Sequence, residues 1–187
     1  MKRLLVWRGL GEWLAEAATV AIEGERMTAS GTQLGAEPVP YRVDYELATV
    51  EPFVTARLAV VAQTHDCERG LALVRDADGA WTVDSEPRPD LDGALDCDLG
   101  NCPLTNTMPI RRERLREDAQ PRDLVMAWVS VPDLCVHRSR QRYEPIDAHT
   151  VRYVSLDGNF RAELELDDDG VVVRYPQLAE RLSSEPR

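Results

Sequence analysis

Tyr41, Val43, Tyr45 and Leu47 alternate with Arg42, Asp44 and Glu46, the period of two that a half-buried strand shows. Extended segments are also predicted at 17–22 and 26–32, around the turn Glu23-Gly24-Glu25, and at 53–62, a longer apolar run. Residues 71–75 and 81–83 flank Asp76-Ala77-Asp78-Gly79, strong turn chemistry for a hairpin. Further strands are read at 124–131, 135–143, 150–155, 162–166 and 171–175, separated by Pro145, Asp157-Gly158-Asn159 and Asp168-Asp169-Gly170. Helical signals are few. Ile110, Leu115 and Ala119 make only a thin apolar stripe across 110–120. One or two helical turns are expected at 177–182, with 183–187 frayed. About ten strands in hairpin order predict a mainly β protein, an antiparallel sheet curled into an open or closed barrel. Such a shape permits an apolar ligand inside.

A loose internal repeat runs through this pattern. Phe53-Val-Thr-Ala-Arg-Leu-Ala-Val matches Phe160-Arg-Ala-Glu-Leu-Glu-Leu, each after a Tyr-containing strand and each before an acidic turn with Gly, at Gly79 and Gly170. The expected organisation is one domain over 1–187, in two similar halves joined through about 91–112. Phe53 and Phe160 would then face the same side of the sheet.

The joining stretch is the densest in residues with specific stereochemical uses. Leu91, Leu95 and Leu99 recur every four residues, as on a helix, while Leu95, Cys97 and Leu99 also alternate with Asp96 and Asp98, as on a strand. The pattern leaves both readings open. Past Gly100, Pro103 and Pro109 exclude a long regular element. Thr105, Asn106 and Thr107 can satisfy irregular backbone locally. Arg111 or Arg112 could tie back to Asp96 or Asp98, Arg111 being the expected structural partner and Arg112 the one facing a cavity. The stretch is either a pinned crossover or the polar end of a ligand cavity.

Composition narrows the function. With 187 residues, 43% hydrophobic and 29% charged, the chain can bury one core. A net charge of −11 argues against nucleic acid and against docking on anionic membrane. Lys2 and Arg3 precede the apolar run 4–7 as in a signal peptide, but Arg8, Glu12 and Glu16 break it, so no secretion and a cytoplasmic location are expected. No run approaches a membrane span, so no stable membrane insertion is expected. Cys67, Cys97, Cys102 and Cys135 are expected to be free, buried thiols. Cys97 and Cys102 lack a matching second pair, so no metal and no cofactor are expected. His65-Asp66-Cys67 reads as a turn, since neighbours on an extended chain point apart. No phosphate loop, nucleophile elbow or zinc helix is present, and the chain is not expected to be an enzyme.

Several of these runs together resemble the "Putative glycolipid-binding" family of bacterial proteins. They are Gly79-Ala-Trp81, Leu91-Asp-Gly-Ala-Leu-Asp-Cys-Asp-Leu, Pro103-Leu-Thr-Asn-Thr-Met-Pro-Ile-Arg-Arg112, Gln141-Arg-Tyr143, Asp169-Gly170 and Tyr175-Pro176. The resemblance implies an internally duplicated half-barrel similar to bacterial lipid carriers, and a lipid or glycolipid ligand. Tyr45, Phe53, Trp81, Trp128 and Tyr153 are the candidate apolar wall, although the same rings could simply fill a core. Asn106, Arg111, Arg112, Gln141 and Tyr143 are the candidate polar contacts. The alternative function is a protein-interaction module whose concave sheet receives a partner segment.

Overall fold

The structure is a computed structural model describing residues 2–182; the expectation for 183–187 lies outside them. The first half of the chain supplies β1 (Lys2–Gly9), β2 (Leu14–Glu23), β3 (Arg26–Gly35), β4 (Tyr41–Val50), β5 (Val54–Thr64), β6 (Glu68–Arg75), β7 (Trp81–Val83) and β8 (Glu86–Pro87). The second half supplies β9 (Asp96–Leu99), β10 (Arg122–Val129), β11 (Val136–Asp147), β12 (Thr150–Ser155), β13 (Arg161–Leu166), β14 (Val172–Tyr175) and β15 (Ala179–Arg181). All belong to one curved sheet that does not close into a barrel. Consecutive strands pair antiparallel, except that β9 runs parallel to β10 and that β8 and β9 do not pair but form the two edges of the sheet. β15 returns to β1, so the first and last strands meet in the middle of the sheet. No helix among the described residues is long and apolar enough to cross a membrane.

The alternation read in β4 is the burial pattern observed, with Tyr41, Val43, Tyr45 and Leu47 all buried. Its tyrosines need partners without side chains. Tyr45 faces Gly31 and Tyr41 faces Gly35 across β3. A Cβ at Gly35 would lie 2.3 Å from Tyr41 Cζ, and one at Gly31 would lie 2.5 Å from Tyr45 Cζ. The two acidic turns are built alike. Asp76 Oδ1 accepts from the Asp78 and Ala80 amides, at 3.0 and 2.8 Å, and Asp167 Oδ1 accepts from those of Asp169 and Val171, at 3.0 and 2.9 Å. The Tyr-bearing and Phe-led strands also pair alike, β4 with β5 and β12 with β13.

Two elements differ from expectation. Residues 177–182 form a turn and then β15, not helical turns. So short a helix cannot recover its nucleation cost, whereas β1 and β14 offer ladder partners on either side. The apolar run at 4–7 is the centre of β1, with Leu5 and Trp7 buried and Leu4 exposed.

The crossover 91–112 fills the concave side of the first half. Leu91, Ala94, Leu99, Leu104 and Met108 are fully buried against Leu5, Trp7, Val20, Met27, Val43, Leu58 and Leu73. The strand reading holds for Asp96–Leu99, with Cys97 and Leu99 in the core and the two aspartates on the other side. The Thr55 amide donates to the Leu95 carbonyl at 3.0 Å and its hydroxyl accepts the Cys97 amide at 2.9 Å, which pins the stretch to β5. A 3-10 turn at Pro103–Asn106 leads into α1 (Thr107–Arg112), the one α-helix among the described residues. Pro109 sits in its first turn, where a missing N–H costs nothing. Beyond it, Ile110 and Leu115 join a second cluster with Met126, Tyr143, Val151, Leu164 and Val172.

All four cysteines are free, but only Cys97 and Cys102 are buried. Cys67 and Cys135 lie exposed in turns, where no apolar strand position is available to cover them. Among the described residues no three His, Cys, Asp or Glu come together as metal ligands would.

Candidate functional site

The crossover fills only part of the inner face of the second half, where Ile110 packs with Met126 and Tyr143. There a cavity of about 490 Å³ lies between the end of β9 and the strands β10 and β12–β14. Its size is within the range of small-molecule sites. Trp128, Tyr153, Phe160 and Tyr175 supply rings, Asp98 and Asn106 supply polar groups, and Glu12, Asn101, Gln177 and Leu178 form the rim. The rings of Tyr153, Phe160 and Tyr175 form a near-equilateral group, with centroids 6.0, 6.1 and 6.2 Å apart. Such tilted arrangements suit the quadrupoles of the rings. Trp128 stacks on His137 at 5.9 Å.

Strand alternation in β9 points Asp98 away from the core residues Cys97 and Leu99. Its Oδ1 accepts from the Thr105 hydroxyl at 2.9 Å and its Oδ2 from Gln141 Nε2 at 2.7 Å. Burial pushes the Asp98 carboxyl up, and the two hydrogen bonds oppose that. Behind it, the Tyr143 hydroxyl donates to Asn106 Oδ1 at 2.9 Å and lies 3.1 Å from Gln141 Oε1. Asn106 Nδ2 donates to the Pro103 carbonyl at 3.3 Å, which orients the amide. Burial, with the nearby Asp98 charge, also pushes the phenols of Tyr143 and Tyr153 up, so both keep their protons. Asn101 turns the chain after β9 in a left-handed conformation, φ 59°, that asparagine tolerates, and donates to the Tyr41 hydroxyl at 3.0 Å. A narrower cleft of about 240 Å³ continues from the rim past Leu178 to Leu14, Ala36, Tyr41 and the exposed Trp13.

The structure therefore brings together Asn106, Trp128, Gln141, Tyr143 and Tyr153 of the candidates. The other five lie elsewhere. Trp81 is core, its indole donating to the Ala94 carbonyl at 3.0 Å. Tyr45 is buried beneath the crossover and donates to Glu16 Oε1 at 2.6 Å. Phe53 is buried at the opposite end of the sheet, with the Arg111 guanidinium 4.8 Å above its ring. Arg112, not Arg111, is the structural partner of the crossover. Its side chain, 6% exposed, pairs with that of Asp96, 1% exposed. Helix α1 turns Arg112 toward β9, while Arg111 points to the Gly170 turn and donates to the Asp169 carbonyl at 2.6 Å. Phe160 lies 40% exposed at the mouth, unlike the buried Phe53.

Sequence reasoning passed over Asp98, Phe160 and Tyr175 as site residues. The alternation of Asp96 and Asp98 against Cys97 and Leu99 was the available signal for the first. Nothing local distinguishes the rings of Phe160 and Tyr175 from core.

Beneath the rim lies a second buried polar group. Cys102 lines the cavity and its thiol donates to Glu16 Oε1 at 3.2 Å, the oxygen that Tyr45 also engages. Gln33 Nε2 approaches the other oxygen at 3.4 Å. Burial pushes the Glu16 carboxyl up to about 7, against these hydrogen bonds.

Comparison with known proteins follows this geometry. The profile of a family described as "Putative glycolipid-binding" matches residues 4–181. The crystal structure of a DUF1089 family protein from Pseudomonas aeruginosa is similar, with a TM-score of 0.78 and 30% sequence identity over 94% of this chain and 95% of that one. No curated protein matches the chain.

Proposed function

The chain belongs to the "Putative glycolipid-binding" family, and from that premise we propose that it is a non-enzymatic binding protein for an amphipathic lipid, a glycolipid, held in the cavity of its second half. The observation that carries this is one cavity of about 490 Å³ joining an aromatic wall to a hydrogen-bonded polar floor. Rings offer flat apolar area to the C–H faces of a sugar or to an acyl chain, and oriented amide and carboxyl groups suit hydroxyls. The cleft toward Leu14 and Trp13 gives an apolar tail a continuous path. The alternative, a partner segment received on the concave sheet, would have to displace Leu91, Leu99, Leu104 and Met108 from full burial. The first half thus has no open concave face to offer.

Native mass spectrometry of freshly purified protein should show a co-purifying lipid mass. Calorimetry should then show the emptied protein binding octyl glucoside below its micelle concentration, more weakly after Tyr153→Ala. A protein that carries no lipid and ignores the glucoside would sink the reading.

A further inference from the structure

The charges around the cavity say more about what enters it. Glu12 and Asp98 are carboxyl groups, and no Lys, Arg or His lines the cavity. That is a selective absence, since the chain has 22 Lys and Arg. The two arginines that stood as headgroup contacts are committed elsewhere, Arg112 to Asp96 and Glu113, Arg111 to the Asp169 carbonyl and the Phe53 ring. A phosphate, sulfate or carboxylate in the cavity would lose water, stand beside two carboxyl groups and find no cation to offset its charge.

Hydroxyls fare differently. Each Asp98 oxygen uses one lone-pair direction, for Thr105 or Gln141, and keeps another open. The hydroxyls of Tyr153 and Tyr175 take no hydrogen-bond partner among the described residues and can donate or accept. Gln177 adds an amide at the rim. The ring group stands beside these polar atoms, so a polyol could stack and hydrogen-bond at once.

We propose that the cavity selects an uncharged, hydroxyl-rich headgroup and rejects anionic ones, with Asp98 as the residue that sets this selectivity. The inference rests on the glycolipid reading above and narrows it to a neutral saccharide. Aromatic rings beside carboxyls also suit a quaternary ammonium, so the test must separate that class.

Three amphiphiles with the same octyl chain do so: octyl glucoside, octyl glucuronide and octyltrimethylammonium, each titrated calorimetrically below its micelle concentration. The glucoside should bind about tenfold or more tighter than either of the others. Asp98→Asn should weaken the glucoside and shrink its advantage over the glucuronide. Tyr175→Phe removes one hydroxyl without touching Asp98. It should weaken the glucoside several-fold and leave the glucuronide excluded, a readout that stands even if Asp98→Asn fails to fold. Equal or tighter binding of the glucuronide or the ammonium by the parent protein overturns the selectivity while leaving the lipid reading intact. If none of the three binds, the lipid reading itself fails and this inference with it.

Discussion

Arg111 and Arg112 are chain neighbours with different surroundings, and substitution should separate them. Arg112→Ala would strand the buried Asp96, whose carboxyl burial already pushes up despite the pairing. The expected loss is roughly 3–5 kcal/mol, a large share of the about 5–15 kcal/mol typical of a domain. Arg111→Ala gives up a cation–π contact and a charged hydrogen bond, a loss of about 1–2 kcal/mol. Denaturant melts of the two variants should therefore differ clearly. Combining Arg112→Met with Asp96→Leu should recover most of the stability, because desolvation of the ions disappears with them. Glu16 supplies a second residue-scale expectation. Its folded pKa of about 7 lies above the ordinary carboxyl value of 4.5, so the folded state holds the extra proton between those values. The stability this group contributes is present below about pH 4.5 and is lost as pH rises through about 7. The shift corresponds to about 3 kcal/mol. Glu16→Gln should thus raise the Tm at pH 9 relative to the parent and flatten its dependence on pH. Parallel Tm curves for parent and variant would show that Glu16 does not titrate near neutrality.

At the scale of elements, the pairing of β3 with β4 depends on what is missing from β3. Tyr41 and Tyr45 fold over Gly35 and Gly31, so Gly35→Ala drives a Cβ into a buried ring. Overpacking of this kind costs about 1–3 kcal/mol. Gly35→Ala should lower the Tm, and adding Tyr41→Ala should not lower it by the full sum of the two single effects. Strictly additive losses would show that the ring does not occupy that space. The same strands show what periodicity can disclose. β4 was legible because a sheet with one buried face imprints a period of two on its sequence. β1 was not, since Lys2 and Arg3 before an apolar run resemble a leader. β15 was not, because three residues carry no period at all, and only pairing with β1 makes them a strand.

For the whole molecule, the crossover covers the inner face of the first half and only part of that of the second, where a cavity remains. Thiol chemistry reads this coverage. Cys67 and Cys135 should react with a thiol reagent in the native protein, whereas Cys97 and Cys102, buried within the crossover itself, should react only on unfolding. Two fast equivalents and four after denaturation are expected. Four fast equivalents would mean that the crossover does not seal the first half. Of the candidate residues, Asn106, Trp128 and Tyr153 line the open part and Gln141 and Tyr143 stand buried behind it, so the site was only partly legible. Asn106 belongs to the specific run 103–112, and Gln141 and Tyr143 to a second short motif, so local sequence pointed to them. Trp128 and Tyr153 were chosen as rings on inward strand positions, as Tyr45, Phe53 and Trp81 were.

Strand class, turns and the inward set of side chains followed from the sequence alone, because alternation and turn chemistry are local properties of a chain. The hairpin order and the crossover's irregular backbone were also within its reach, through Pro103, Pro109 and the acidic Gly turns. Tertiary structure decided what covers each inward side chain. Tyr45 and Tyr153 both point inward from Tyr-bearing strands, yet the first lies beneath Cys102 and the second opens on a cavity. A period of two specifies a face but not the segment that packs on it, since that segment arrives from a distant part of the chain. The same long-range placement gave Arg112 rather than Arg111 to Asp96 and left Asp98 facing the open space.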